Sequence, residues 1–216
     1  MISNPALLPA LSEFIGTLTG KFDTISPERK KRLHELSDYI NGSVSVGKPL
    51  NLNFICTHNS RRSHMAQIWA QTAAHYYNVP NIQCFSGGKE ATAFNPSAVR
   101  AMQQAGFMIS QITDEQNPIY HVTYSNEVES LRIFSKRYDH AINPPKKFAA
   151  IMTCSDADAN CPIIGGMDKR ISLPYDDPKH FDGTPHETEK YLERVKDIGT
   201  EMLYCFSSVN KLGDKL

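Results

Sequence analysis

One short segment of the chain combines residue types that can perform nucleophilic chemistry. It reads Cys56-Thr57-His58-Asn59-Ser60-Arg61-Arg62-Ser63. A cysteine thiolate is a strong nucleophile. Arg62 lies six positions after Cys56, and its planar guanidinium can hold two oxygens of one oxyanion. The spacing predicts a loop that curls around an anion such as phosphate, with Cys56 as the nucleophile and Arg62 as the clamp.

The flanking residues indicate how this segment is positioned. Residues 50–55 alternate and end in apolar residues, which is typical of a strand, and residues 65–77 have helical spacing. A loop between a strand and a helix N-terminus directs backbone N–H groups and the helix dipole at one point. The same donors would favour the thiolate form of Cys56. The predicted oxyanion-binding residues are therefore Thr57, His58, Asn59, Ser60, Arg61, Arg62 and Ser63.

Displacing an oxygen from such an anion requires a proton donor for the leaving group. Asp177, in Tyr175-Asp176-Asp177-Pro178, is the candidate. An Asp-Pro turn after a strand can project a carboxyl group over a pocket. Asp176 is the adjacent alternative, and spacing does not separate the two residues.

Strand-like and helix-like patterns alternate along the rest of the chain. Strands are expected at residues 82–85, 148–153 and 170–173, and helices at residues 95–106 and 187–209. This order predicts an α/β fold with a central, mostly parallel sheet flanked by helices on both faces. Residues 119–135 are rich in strong β-formers and predict an inserted β-hairpin.

Residues 1–48 lack this alternation and predict a pair of helices. Apolar residues recur at helical spacing from Leu7 to Leu18. Ser26-Pro27-Glu28 is typical of a helix start, and Asn41-Gly42 of a helix end. We interpret residues 1–48 as a helical extension and residues 49–216 as a catalytic domain.

Composition and charge narrow the class of protein. The 216 residues include 23 Lys+Arg and 23 Asp+Glu, and this balance argues against a nucleic-acid binder that works by bulk charge. No stretch approaches the roughly 20 apolar residues of a membrane span. The N-terminus lacks the basic start of a signal peptide. We therefore expect a cytoplasmic protein that binds neither a membrane nor a nucleic acid.

Five cysteines are too few, and odd in number, for a secreted disulfide framework. Cys84 lies on a predicted strand and Cys205 on the last predicted helix, so both are expected to be core thiols. Trp69, on the helix after the loop, is likewise expected in the core.

No metal site or cofactor is predicted. Asp156, Asp158 and Asn160 imitate the start of a calcium loop, but its sixth and twelfth positions hold a cysteine and a methionine instead of glycine and glutamate. The gap between Cys154 and Cys161 is not a usual zinc-ligand spacing.

Together, the loop, the later Asp-Pro pair and the strand order resemble the low-molecular-weight protein tyrosine phosphatases. The segment Cys154-Ser155-Asp156-Ala157-Asp158-Ala159-Asn160-Cys161-Pro162 closely resembles the paired-cysteine segment of thioredoxin-coupled arsenate reductases, which are built on that fold. The resemblance covers about residues 50–209, without the insertion at 119–135.

The chain departs from the family pattern at three positions, one of which is Arg61, a second cation beside the anion site. The family's loop usually has glycine where this chain has His58, which raises the question of backbone strain or pocket access. Gln67 stands where reductases with a potassium site often carry a carboxylate. Potassium binding is therefore not predicted.

This resemblance implies a cycle that uses three cysteines. Cys56 attacks the arsenic of arsenate, Asp177 protonates the departing oxygen, and Arg62 with the loop amides holds the negative charge. Cys154 then attacks Cys56, and arsenite leaves. Cys161 attacks Cys154, and thioredoxin reduces the resulting disulfide.

Two alternatives remain open. The first is a phosphatase acting on a phosphotyrosine protein or a small phosphoester, with Cys154 and Cys161 as bystanders or a redox switch. The second is a non-catalytic module that senses oxyanions or binds a partner, with residues 1–48 as its docking surface.

Disulfide geometry adds a constraint on Cys154 and Cys161. Bridged cysteines need Cα atoms roughly 4.4–6.8 Å apart, whereas seven helical residues rise about 10.5 Å. A helix between the two cysteines must therefore unwind during turnover, and we expect Gly165-Gly166 to supply the freedom.

Overall fold

The computed structural model describes residues 6–160 and 164–209. The strands are β1 (Leu50–Cys56), β2 (Ile82–Gly88), β3 (Met108–Gln111), β4 (Tyr120–Thr123), β5 (Leu131–Ile133), β6 (Phe148–Met152) and β7 (Met167–Ser172). The α-helices are α1 (Pro9–Thr19), α2 (Pro27–Val44), α3 (Arg62–Tyr76), α4 (Pro96–Gln104), α5 (Ser155–Asn160) and α6 (Glu187–Ser207). Short 3₁₀ turns lie at Phe22–Thr24 and Pro178–Phe181.

A four-stranded parallel sheet forms the centre of the fold, in the order β2-β1-β6-β7. Strand β1 is paired on both sides, with Cys56 opposite Gly88 on one side and Ile55 opposite Met152 on the other. Every residue of β6 is buried, as expected for a central parallel strand covered on both faces. The pairing places the C-terminal ends of β1 and β6 side by side.

Side-chain alternation divides the core between the two faces of this sheet. Leu52, Phe54 and Ile151 share a core with α3 and α6 on one face. On the other face, Ile55 and Met152 pack with residues of α5 and the segment after it. The predicted α/β fold with helices on both faces is confirmed.

Helix starts follow the predicted capping signals, but one helix end does not. The Ser26 side chain accepts a hydrogen bond from the Arg29 N–H at the start of α2, and Asn95 caps α4 in the same way. The predicted end of α2 at Asn41-Gly42 is wrong, because the helix continues to Val44. A glycine costs a helix interior only about 1 kcal/mol, and Val44 is buried at the end of the additional turn.

Strands β3, β4 and β5 form a separate antiparallel sheet in that order. The predicted hairpin corresponds to β4 and β5. Strand β3 was not predicted, because three of its four side chains are exposed and give no apolar alternation. The chain after β5 returns to the parallel sheet, where Gly88 N–H donates to the Lys136 carbonyl and Tyr138 N–H donates to the Gly88 carbonyl.

Helices α1 and α2, which begin the chain, pack on the last helix, α6. Leu11, Ile15, Leu33 and Leu36 are fully buried and belong to the same core as α3 and α6. This pair of helices is therefore in direct contact with the main body. Within the described residues, no helix combines the length and apolar character needed to cross a bilayer.

Candidate active site

The segment 57–61 connects β1 to α3, as the sequence predicts. It packs closely on Gly88 at the end of β2. A Cβ atom at position 88 would lie 2.3 Å from the Glu90 carbonyl oxygen and 2.7 Å from the Asn59 nitrogen. Only glycine leaves room for the loop to approach this closely.

Hydrogen bonds turn the loop carbonyls away from its centre. They are donated by Lys89 N–H to Cys56, Glu90 N–H to Thr57, Asn95 N–H to Ser60, and the Thr92 and Ser135 hydroxyls to His58. The amide N–H groups of residues 57–62 donate to no acceptor in the described part of the chain. A ring of unused amides at a helix N-terminus is suited to binding an anion.

Cys56 is buried, and its sulfur lies 3.0 Å from the Ser63 hydroxyl. The Asn59 side-chain amide donates to that hydroxyl oxygen over 2.9 Å. Ser63 therefore has its own proton available for the sulfur, and this hydrogen bond stabilises a thiolate. The Asn59 carbonyl oxygen accepts from the Lys136 backbone N–H at 2.9 Å, so the segment after β5 orients this network.

His58 does not carry the backbone strain that its position suggested. The left-handed residue of the loop is Asn59, with φ +45°, a conformation that asparagine tolerates well. The His58 imidazole lies 3.8 Å from the Glu90 carboxylate and is 42% exposed. His58 therefore stands at the solvent side of the site.

Arg62 and Asp177 meet directly. Arg62 Nη2 donates to Asp177 Oδ2 at 2.5 Å, and Nη1 donates to the Tyr175 carbonyl at 2.9 Å. Arg62 Nε is buried and has no hydrogen-bond partner among the described residues, so it is available to a ligand. A small cavity at this point is lined by Cys56, His58, Ser60, Arg61, Arg62 and Asp177.

The structure separates the two adjacent aspartates. The Asp177 side chain lines the cavity and is 21% exposed. The Asp176 side chain is 98% exposed and lies 3.8 Å from Arg194 on α6. Asp177 therefore shares the cavity with Cys56, whereas Asp176 is not among the residues that line it.

Arg61 borders the cavity but is held by other partners. Its Nε donates to the Tyr191 hydroxyl at 2.6 Å, and its Nη2 donates to Asp182 at 2.9 Å. The Tyr191 hydroxyl in turn donates to Asp182 at 2.6 Å. This network fixes the start of α3 against α6. No sequence signal marked Tyr191 or Asp182, because they lie more than 120 residues from Arg61.

Cys154 lies at the end of the strand next to that of Cys56. It is buried, and its sulfur is 3.5 Å from the hydroxyl of Thr57. Thr57 donates its own proton to Asp156 at 2.8 Å, so the Cys154 thiol is the donor in the contact with Thr57. Cys154 Sγ also accepts from the Ala157 N–H at 3.3 Å. Cys154 thus contacts Thr57, the residue that follows Cys56 in the chain.

The aspartates of this segment are used in contacts with protein groups. Asp158 accepts from Arg170 Nε at 3.1 Å and from the Ser172 hydroxyl at 2.5 Å, which ties α5 to β7. No cluster of three metal-binding side chains occurs within residues 6–160 and 164–209. Cys161 lies outside the described residues, so its position and the unwinding of α5 stay predictions.

Cys84 and Cys205 are buried core thiols, and Trp69 is fully buried, as predicted. Burial raises the pKa of both thiols well above the usual value, which keeps them protonated. Gln67 donates to the Cys84 carbonyl at 2.9 Å.

A buried histidine and a buried lysine near the loop were not predicted. Burial, together with the charge of Lys136, lowers the pKa of His64 to about 3, so this residue is neutral near pH 7. Burial also lowers the pKa of Lys136 to about 8. Neither residue has a spacing relation to Cys56 that the sequence could reveal.

No protein-family model matches the chain. An arsenate reductase from Bacillus licheniformis is 33% identical over 158 residues, which cover 73% of this chain and 95% of the relative. An arsenate reductase from Staphylococcus aureus is 35% identical over 145 residues, which cover 67% and 86%.

Solved structures with a similar fold include two from related classes. One is an arsenate reductase in the phosphate binding state, with 16% identity and a TM-score of 0.48, covering 74% of this chain and 99% of that one. The other is a low-molecular-weight phosphotyrosine phosphatase from Vibrio cholerae O395, with 15% identity and a TM-score of 0.48, covering 73% and 94%.

Proposed function

We propose a function from the family of this chain, which belongs to the arsenate reductases of the low-molecular-weight protein tyrosine phosphatase superfamily. The proposed function is the reduction of arsenate to arsenite, with Cys56 as the nucleophile. The chain is an enzyme, and family membership sets aside the non-catalytic alternative. The assignment of residues to steps is our proposal, as is the division into an extension at 1–48 and a catalytic domain at 49–216.

In the first step, the Cys56 thiolate attacks arsenic and one arsenate oxygen leaves. The unused amides of residues 57–62 and Arg62 stabilise the negative charge of the oxyanion. The incoming oxyanion competes with Asp177 for the Arg62 guanidinium, which releases the Asp177 carboxyl group to carry a proton. Asp177 gives that proton to a hydroxyl group of the arsenate, which leaves as water, while arsenic remains As(V) in the Cys56 adduct.

In the second step, the Cys154 sulfur attacks the Cys56 sulfur. A sulfur–sulfur bond forms and the sulfur–arsenic bond breaks. Its electron pair goes to arsenic, which becomes As(III) and leaves as arsenite. The single observation that carries this proposal is the position of Cys154, buried and 3.5 Å from the hydroxyl of Thr57, the residue next to Cys56.

In the third step, the Cys161 thiolate attacks Cys154, which releases Cys56 and leaves a Cys154–Cys161 disulfide. A dithiol protein of the thioredoxin class then reduces this disulfide by exchange. Reaching Cys154 requires α5 to open, which breaks the hydrogen bonds of its aspartates with Thr57 and Arg170 and exposes the core residue Ala157. A dithiol reductant also favours a cytoplasmic location.

A phosphatase is the second candidate. Cys56, Arg62 and Asp177 with the loop amides make a complete phosphate site that does not involve Cys154. Water would hydrolyse a phosphocysteine formed on Cys56. A phosphotyrosine protein or a small phosphoester would be the substrate.

The deciding experiment compares two reactions in cysteine variants. Cys154→Ser and Cys161→Ser should each abolish multiple-turnover arsenate reduction with a thioredoxin system. Hydrolysis of p-nitrophenyl phosphate should stay within a few-fold of wild type, because it needs only Cys56 of the three cysteines. Cys84→Ser is the matched control, since this thiol is buried and lies opposite Leu52, four residues before Cys56 on β1. Normal arsenate turnover in either of the first two variants would refute the relay.

A single turnover separates the two variants further. Cys154→Ser should stall before arsenite is released through the internal relay. Cys161→Ser should release about one equivalent and stop as a Cys56–Cys154 disulfide. Mass spectrometry of alkylated peptides identifies the bridge.

A further inference from the structure

Arg29 of helix α2 contacts Tyr175, which lies in the segment that carries Asp177. This arginine lies in the first turn of α2 and binds Glu201 of α6 through both ends of its guanidinium. The Nε–Oε1 and Nη2–Oε2 distances are each 2.7 Å. The two side chains are only 18% and 13% exposed. A bidentate pair of this kind fixes the plane of the guanidinium.

The same guanidinium covers the ring of Tyr175. The Arg29 Cζ atom lies 4.7 Å from the ring centroid, which is the geometry of a cation–π contact. Burial raises the pKa of Tyr175 well above its usual value, so the ring stays a neutral phenol. Burial by itself lowers the Arg29 pKa, but the interactions with Glu201 and Tyr175 together leave this pKa above its usual value. A charged guanidinium over a neutral ring is a stable arrangement.

The backbone of Tyr175 is linked to Arg62, Thr153 and Asp177, two of them through hydrogen bonds and one along the chain. Its carbonyl accepts from Arg62 Nη1 at 2.9 Å. Its N–H donates to the Thr153 carbonyl at 3.1 Å, next to Cys154 in the chain. Asp177 follows two residues later. A displacement of Tyr175 would therefore move the proton donor and the clamp together.

We propose that Arg29 is a positioning residue, through which the N-terminal helices set the place of Tyr175 and, through it, of Asp177 and Arg62. The N-terminal helices thus contribute to oxyanion binding and proton donation without touching the substrate. The catalytic part of this inference rests on the proposed function. The structural part does not.

The first test measures loop order and anion affinity without turnover. Arg29→Met should increase hydrogen exchange at the Tyr175 amide about tenfold and weaken inorganic phosphate binding several-fold. The control is Tyr204→Phe, which removes the 2.9 Å contact between His34 and Tyr204 in the same α2–α6 interface, away from Tyr175. Equal exchange and equal phosphate affinity in the two variants would overturn the proposal.

Two further variants separate the loss of the cation–π contact from a general folding defect. Arg29→Met leaves Glu201 buried without its partner, which by itself can destabilise the protein. The double variant Arg29→Met with Glu201→Leu removes both charges and should still show the faster exchange at Tyr175. Arg29→Lys keeps a cation over the ring and should restore most of the protection. A double variant with wild-type exchange would refute a role for the cation–π contact.

The second test examines proton donation by comparing two substrates that differ in their leaving group. Hydrolysis of phenyl phosphate depends on a proton donor more than hydrolysis of p-nitrophenyl phosphate, because phenol is the poorer leaving group. Arg29→Met should therefore lower kcat more for phenyl phosphate, whereas a purely structural defect would lower both equally. A wild-type enzyme that fails to reduce arsenate would refute the proposed function. The exchange and phosphate-binding results would still decide the role of Arg29.

Discussion

The Cys56 loop and the Cys154 segment lie side by side but are held in different ways. The loop is fixed by hydrogen bonds to its carbonyls, three of the five from backbone N–H groups, and by the close contact with Gly88. The Cys154 segment continues into the six-residue helix α5, which depends on side-chain contacts of Asp156 and Asp158. Backbone contacts suit a site that must keep its shape around an anion. Side-chain contacts suit the opening that the proposed disulfide exchange requires.

The largest effect is expected for the residue that both proposed reactions share. Cys56→Ser should abolish arsenate reduction and aryl phosphate hydrolysis together, because serine lacks the thiolate. Circular dichroism should show an unchanged fold. Residual hydrolysis in this variant would assign the nucleophile to another residue. The loop would then not be the site of the first step, and its comparison with the Cys154 segment would lose its functional meaning.

The next largest effect is expected at the proton donor. Asp177→Asn should slow formation of the Cys56 adduct by about 10²–10⁴-fold, the usual loss for a general acid. Rapid-quench measurement of the adduct reports this step. Asp176→Asn is the matched control and should be near wild type, since its side chain is 98% exposed. The reverse result would move the role to Asp176.

A moderate effect is expected at the clamp. Arg62→Lys keeps the charge but loses the planar fork, so the affinity for phosphate or arsenate should drop about tenfold. Calorimetry measures this affinity. Arg61→Lys should change the melting temperature more than the affinity, because Arg61 is bound to Tyr191 and Asp182. Unaltered anion binding in Arg62→Lys would show that the loop does not present this residue to the ligand.

The smallest effect is expected in α5. Asp158→Asn weakens the contacts with Arg170 and Ser172, so Cys154 should be alkylated a few-fold faster, as for a partly exposed ion pair. Alkylation of Cys56 should not change. Mass spectrometry of the two peptides provides both rates from one sample. Equal acceleration at both cysteines would mean that the two regions open as one unit.

The sequence was most informative where a function requires local spacing. Cys56 and Arg62 lie in one strand–loop–helix unit, so their proximity followed from residue spacing alone. Asp177 could not be separated from Asp176, because the two differ only in burial, which tertiary packing decides. The partners of Arg61 and the contact of Arg29 with Tyr175 join residues far apart in the chain, and no local pattern records them.

Secondary structure followed the same rule. The apolar strands β1 and β6 and the capped helices α2 and α4 begin where the sequence predicts. Strand β3 was missed because most of its side chains are exposed, and the end of α2 was misplaced because burial of Val44 outweighs a glycine in the helix.

Gly88 has a consequence for how the protein tolerates mutation. It carries no reactive group, yet a single added methyl group would collide with the backbone of the Cys56 loop at 2.7–2.8 Å and with the Glu90 carbonyl oxygen at 2.3 Å. Backbone atoms cannot move aside as the end of a flexible side chain can. In a selection for active variants, position 88 should therefore reject alanine as strictly as position 56 rejects serine. If position 88 accepts only glycine in such a scan, the reason would be the space that the Cys56 loop needs and not a chemical role of this residue.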